Sequence, residues 1–225
     1  MRVKICGLRS RADLVAAADA GAAYAGLVFF PRSPRHLTIA DARWVVGADP
    51  GGITKVALTV DATDAELEKI LGNVAIDMLQ LHGSESPARV AEVRTRFGLP
   101  VMKAVGLAVD ADLAALADYA DVADQLLVDA RLPDEAALPG GNGVPFDWRM
   151  LRGLDWPVPW MLAGGLTPET VADAIQVTGA VQVDVSSGVE RSPGQKDHRR
   201  MHEFVAAAQE AARTEGVSPA ESPLS

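Results

Sequence analysis

The chain has 225 residues, 48% of them hydrophobic and 23% charged, and a net charge of −9 at pH 7. This balance can bury a large core, and the negative charge argues against a nucleic-acid backbone or an anionic membrane as partner. The single cysteine excludes an internal disulfide and a multi-cysteine metal site, so a reducing compartment, the cytoplasm, is expected.

In chain order, strand-like and helix-like segments alternate. Met1-Arg2 leads straight into an apolar strand, Val3–Cys6, stopped by Gly7. No apolar run approaches the ~18 residues of a spanning helix, and no signal peptide is expected. Arg11–Ala20 reads as an alanine-rich helix ended by Gly21, and Tyr24–Phe30 as a strand. Thr38 caps a helix running to Gly47, followed by a strand at Ile53–Val60. Asp64–Leu71 is a helix with Gly72 just past its end, and Ile76–Leu81 is a strand. Ser86 caps a helix through Phe97 with Pro87 at its first position. A strand at Val101–Val105, a helix at Asp110–Tyr119 and a strand at Gln125–Asp129 come next. Leu132–Pro145 is a Pro- and Gly-rich loop, and a short helix begins near Phe146. Pro159–Ala163 is a strand, Thr167-Pro168 opens a helix, Ala180–Val185 is a strand and His198–Arg213 a closing helix.

Eight strands, each followed by a helical segment, predict parallel strands covered by helices. The expected fold is a single-domain (β/α)8 barrel over residues 1–213, with a flexible polar tail over 214–225. A doubly wound open sheet is the competitor, but no GxGxxG follows the first strand.

A barrel of this kind carries its active site at the C-terminal ends of the strands. Reactive or polar groups recur there. Cys6 ends the first strand, where a thiol is either a buried filler, a nucleophile or a general base. Asp129 and Asp184 end buried runs, and on spacing either can be a capping residue or a general acid. Gly164-Gly165 and Ser186-Ser187-Gly188 follow the seventh and eighth strands, where backbone N–H groups and hydroxyls suit a phosphate dianion. Arg35 sits in a loop stiffened by Pro31 and Pro34 and is either solvated or set to pair with a carboxylate. His82 follows Gln80-Leu81 and is either structural or a substrate contact. His198 and His202 share a helix face, but they lack the HExxH form and neighbour Arg199 and Arg200, so no metal site is expected. The basic run from Lys196 to Arg200 reads as a solvated face.

With these residues assembled, the chain resembles the phosphoribosylanthranilate isomerases of tryptophan biosynthesis. The likeness rests on KICG at 4–7, SPR at 33–35, QLHG at 80–83, LLVDA at 126–130, GNGVPFDW at 141–148, LAGGL at 162–166, DVSSGVE at 184–190 and PGQKDH at 193–198. It covers roughly residues 2–210. The resemblance implies Cys6 as general base, Asp129 as general acid and Arg35 as the anthranilate carboxylate contact. His82 and Asp184 become substrate contacts, and the Gly164–Gly165 and Ser186–Gly188 loops hold the phosphate. The implied reaction is an Amadori rearrangement without a cofactor, in a monomer or homodimer. One departure stands out: after GNG, many members carry a basic or amide side chain where this chain has Val144 and Pro145.

Overall fold

In the computed structural model, described for residues 1–107, 114–130, 148–154 and 156–214, eight parallel strands close into a barrel in sequential order. They are β1 (Arg2–Cys6), β2 (Tyr24–Val28), β3 (Thr54–Thr59), β4 (Met78–Leu81), β5 (Val101–Leu107), β6 (Gln125–Ala130), β7 (Trp160–Leu162) and β8 (Gln182–Val185). Closure comes from β1 pairing with β8, in a register that sets Val3 beside Val183 and Lys4 beside Asp184. The intervening helices are α1 (Arg11–Asp19), α2 (Ile39–Val46), α3 (Asp64–Leu71), α4 (Pro87–Phe97), α5 (Ala114–Ala120), α6 (Val171–Thr178) and α7 (His198–Thr214). The (β/α)8 expectation is therefore met, and the doubly wound sheet is excluded by closure. The expected loop at 132–145, with Val144 and Pro145, the start of the helix at Asp110, Phe146 and the tail from 215 lie outside the described residues.

Local chemistry sets the helix starts. Thr38 and Ser86 accept hydrogen bonds from the N–H groups of Asp41 and Arg89, as N-caps do. Thr63 and Glu66 close a reciprocal capping box at α3. At α6 the expected start fails: Thr167 to Thr170 form a preceding turn and the helix begins at Val171. Two further strands, β9 (Glu190–Ser192) and β10 (Gln195–Lys196), form a hairpin over the barrel mouth that its polar sequence did not reveal.

Strand alternation divides the core into two layers. Val3, Ile5, Leu27, Ala57, Leu79, Leu126, Val128 and Val183 point outward and pack beneath helix residues such as Leu14, Val90 and Phe204. Tyr24, Val56, Met78, Met102, Leu127 and Met161 fill the barrel interior. Above them a third group, Cys6, Val28 and Leu58, packs with Phe30 and Val60 at the C-terminal ends of the strands. The inward parity of β1, β4, β6 and β8 also carries Lys4, Gln80, Asp129 and Asp184, all buried.

Candidate active site

Cys6 stands on the inner wall at the end of β1 and is 5% exposed. Its room comes from β2: a Cβ added at Gly26 would stand 2.9 Å from Cys6 Sγ. Lys4 lies one inward position deeper on β1 and is fully buried. Its Nζ donates to Asp184 Oδ1 at 2.9 Å, on the inward face of β1 that it shares with Cys6. Burial pushes the Cys6 thiol above its ordinary range, Lys4 and Lys196 pull it back, and Asp184 pushes it further up.

Asp129 is the penultimate residue of β6 and is 8% exposed. His82, at the end of β4, brings Nε2 within 3.4 Å of Asp129 Oδ2, while its Nδ1 meets Gln80 Nε2 at 2.8 Å. The two expected acids are thus separated by environment. Asp129 meets a histidine at the mouth, and Asp184 is tied to a lysine ammonium.

Arg35 is buried in the loop after β2 and makes a forked pair with Glu190, Nε to Oε1 and Nη2 to Oε2, both at 2.8 Å. Glu190 also accepts from Lys196 Nζ at 2.7 Å and from the Gly194 N–H at 3.2 Å. Burial pushes the Glu190 carboxyl up, but Arg35 and Lys196 outweigh it and hold the group below the usual glutamate range. Lys196 itself is 4% exposed, which corrects its reading as part of a solvated face. The β9–β10 hairpin folds it inward, where Ser186 O and Glu190 replace its water. The neighbouring residues are also engaged: His198 Nε2 lies 2.8 Å from Asp13 Oδ1, and Arg200 pairs with Glu169.

The two glycine- and serine-rich loops lie side by side. Gly164 and Gly165 have φ of +91° and +68°, conformations a side chain would strain. Gly188 packs so tightly on the partner loop that an added Cβ would collide with the Leu166 carbonyl. Ser186 Oγ donates to Cys6 O at 3.1 Å, joining the end of β8 to the end of β1. Lys196 Nζ and Arg200 Nε donate to the carbonyls of Ser186 and Gly188 at 3.0 and 3.1 Å.

Every expected site residue therefore lies at one end of the barrel or directly beneath it. Sequence reasoning missed Lys4, Glu190 and Lys196. Lys4 had a readable signal, because it stands two residues before Cys6 on one strand and so shares its face. Glu190 and Lys196 had none, since their place depends on the hairpin.

The model of the family described as N-(5'-phosphoribosyl)anthranilate (PRA) isomerase matches residues 3–207. An N-(5'-phosphoribosyl)anthranilate isomerase from Cereibacter sphaeroides is 60% identical over 208 residues, covering 92% of this chain and 98% of the relative. The crystal structure of phosphoribosyl anthranilate isomerase from Thermotoga maritima superposes with a TM-score of 0.84 at 33% identity, over 93% of this chain and 99% of that one. A structure of the same kind of enzyme in complex with reduced 1-(o-carboxyphenylamino)-1-deoxyribulose 5-phosphate gives a TM-score of 0.80 at 31% identity, with the same coverage of both chains. With a family model over nearly its whole barrel and relatives this close, the chain belongs to the N-(5'-phosphoribosyl)anthranilate isomerase family.

Proposed function

We propose that the chain converts N-(5-phosphoribosyl)anthranilate to 1-(2-carboxyphenylamino)-1-deoxyribulose 5-phosphate, with Asp129 as general acid and Cys6 as general base. The observation that carries this reading is the arrangement of four strand ends. A thiol on β1 and a carboxyl on β6 face one mouth, beside paired Gly/Ser loops after β7 and β8.

The chemistry follows from those groups. Asp129 gives its proton to the furanose ring oxygen. The bond from that oxygen to C1 breaks as the anthranilate nitrogen lone pair forms the iminium. The Cys6 thiolate then takes the proton on C2, and the released pair forms the C1–C2 double bond of an enolamine. C1 gains a proton and the C2 hydroxyl loses one, which leaves the ketone. The sequence is an isomerisation, so no net electrons are exchanged and no cofactor is required.

The remaining residues bind and orient. Arg35 meets the anthranilate carboxylate, with Glu190 fixing the plane of the guanidinium. His82 and Asp184 line the sugar's path between acid and base. Gly164, Gly165, Ser186, Ser187 and Gly188 hold the phosphate through backbone N–H groups and hydroxyls, so that remote binding energy orients the reacting carbons. Phosphoribosylanthranilate is fluorescent, and its loss with purified protein tests the reading. Enzyme-dependent loss of signal is expected, and an unchanged signal would overturn it.

A further inference from the structure

A base in a buried site needs a reason to exist as its anion. Cys6 has burial against it, and only the thiolate can abstract a proton. Among the described residues, three charged side chains act electrostatically on the thiol. Lys4 comes from the same strand, Asp184 from β8 and Lys196 from the hairpin. Lys4 is the unusual member. A wholly buried ammonium is costly to desolvate, and apolar residues often replace a buried ion pair without loss of stability. Stability alone therefore gives a poor account of the pair.

The geometry gives a better one. Lys4 Nζ donates to the Asp184 carboxylate at 2.9 Å, and Lys4 stands two residues before Cys6 on the same inward face of β1. Burial pushes the ammonium down, but Asp184 and Cys6 outweigh it and hold it above the ordinary lysine value. The Asp184 carboxylate thus favours the charged form of Lys4. We propose that Lys4 is a positioning residue that supplies the counter-charge for the Cys6 thiolate, with Asp184 holding the ammonium in place and moderating its pull. Lys196, anchored by Glu190 at 2.7 Å, adds a second and weaker positive influence, because burial opposes its own charge. When Cys6 takes the C2 proton, Lys4 falls back on Asp184 alone, so no buried charge is left unpaired at either stage.

This inference rests on the reading of Cys6 as the base, and the test separates the two. Cys6 is the only cysteine, so the ultraviolet absorbance of the thiolate in the full-length protein reports this group alone, with Cys6→Ser as blank. Asp184→Asn should move the titration to lower pH. Adding Lys4→Met to Asp184→Asn should move it back up by about one unit or more, roughly tenfold less thiolate at a fixed pH. Lys196→Met should raise it by less. The double variant leaves no unpaired charge, and the Asp184→Asn background isolates the ammonium. Coincident titrations of the single and double variants would overturn the proposal. If the double variant does not fold, Asp184→Asn decides alone, and an unchanged or higher titration overturns it. A Lys4-dependent titration together with full turnover by Cys6→Ala would support the counter-charge and remove the base assignment. Loss of turnover in Cys6→Ala with a titration indifferent to Lys4 would do the reverse.

Discussion

His82 Nε2 lies 3.4 Å from Asp129 Oδ2, linking the ends of β4 and β6, the two strands that flank β5. Gln80, on the same inward face of β4, donates from Nε2 to His82 Nδ1 at 2.8 Å. Nδ1 is thus engaged by Gln80, and Nε2 is the ring nitrogen turned toward Asp129. A glutamine thereby holds the ring of a histidine, and the histidine lies against the carboxyl read as the acid.

Removing His82 should accordingly slow chemistry more than binding. For His82→Ala we expect kcat to fall roughly tenfold, the scale of about 1.4 kcal/mol lost with one polar contact to the acid. Steady-state kinetics with the phosphorylated substrate check this. A rise in KM with unchanged kcat would make His82 a binding contact only.

The acid and base assignments predict a ranking. Cys6→Ala should lower turnover by roughly 10²-fold or more, the usual cost of losing a general base, with product-analogue binding retained. Asp129→Asn should nearly abolish turnover, whereas Asp184→Asn should keep more activity. Asparagine at 184 still accepts from Lys4, while at 129 it cannot give up a proton. An Asp184→Asn enzyme slower than Asp129→Asn would reverse the assignment, and a covalent adduct trapped on Cys6 during turnover would make the thiol a nucleophile.

Phosphate binding should depend on backbone shape. Gly165→Val adds a side chain at φ +68° and should raise KM strongly. Ser187→Ala removes at most one hydroxyl contact and should cost on the order of 1 kcal/mol in binding. Gly188→Ala should lower the melting temperature as well, because its Cβ meets the Leu166 carbonyl. A ligand-bound structure with the phosphate elsewhere on the rim would remove this site.

The Glu190 pair gives a pH dependence with a definite sign. Its carboxyl is held below the usual range when folded, so its stabilising contribution is fully present above the ordinary glutamate value of ~4.3 and is lost as pH falls through the depressed one. Glu190→Gln should therefore be less stable than the parent near neutrality, and the gap should narrow in acid. Denaturant midpoints measured across that range check this, and a gap independent of pH would show that the charge on Glu190 contributes nothing.

Much of this protein is legible without coordinates, because its governing signals are local. Capping residues such as Thr38, Ser86 and Pro87 mark helix starts, and short buried strands recur between them. The barrel follows from that rhythm. Cys6, Asp129 and the two glycine-rich turns follow from their position at strand ends. Boundaries shift by a few residues, as at Thr54–Thr59 and Val171, because hydrogen-bond partners and not composition end an element. Pairing between distant residues is another matter. Lys4 meets Asp184 across 180 positions only because β1 closes against β8. Arg35 meets Glu190 across 155 positions only because a polar hairpin folds over the mouth. Lys196 looks like any surface lysine until that hairpin turns it inward. Periodicity tells which face of an element is buried, but which charge waits on the facing wall is decided by closure of the barrel, and that is a tertiary property.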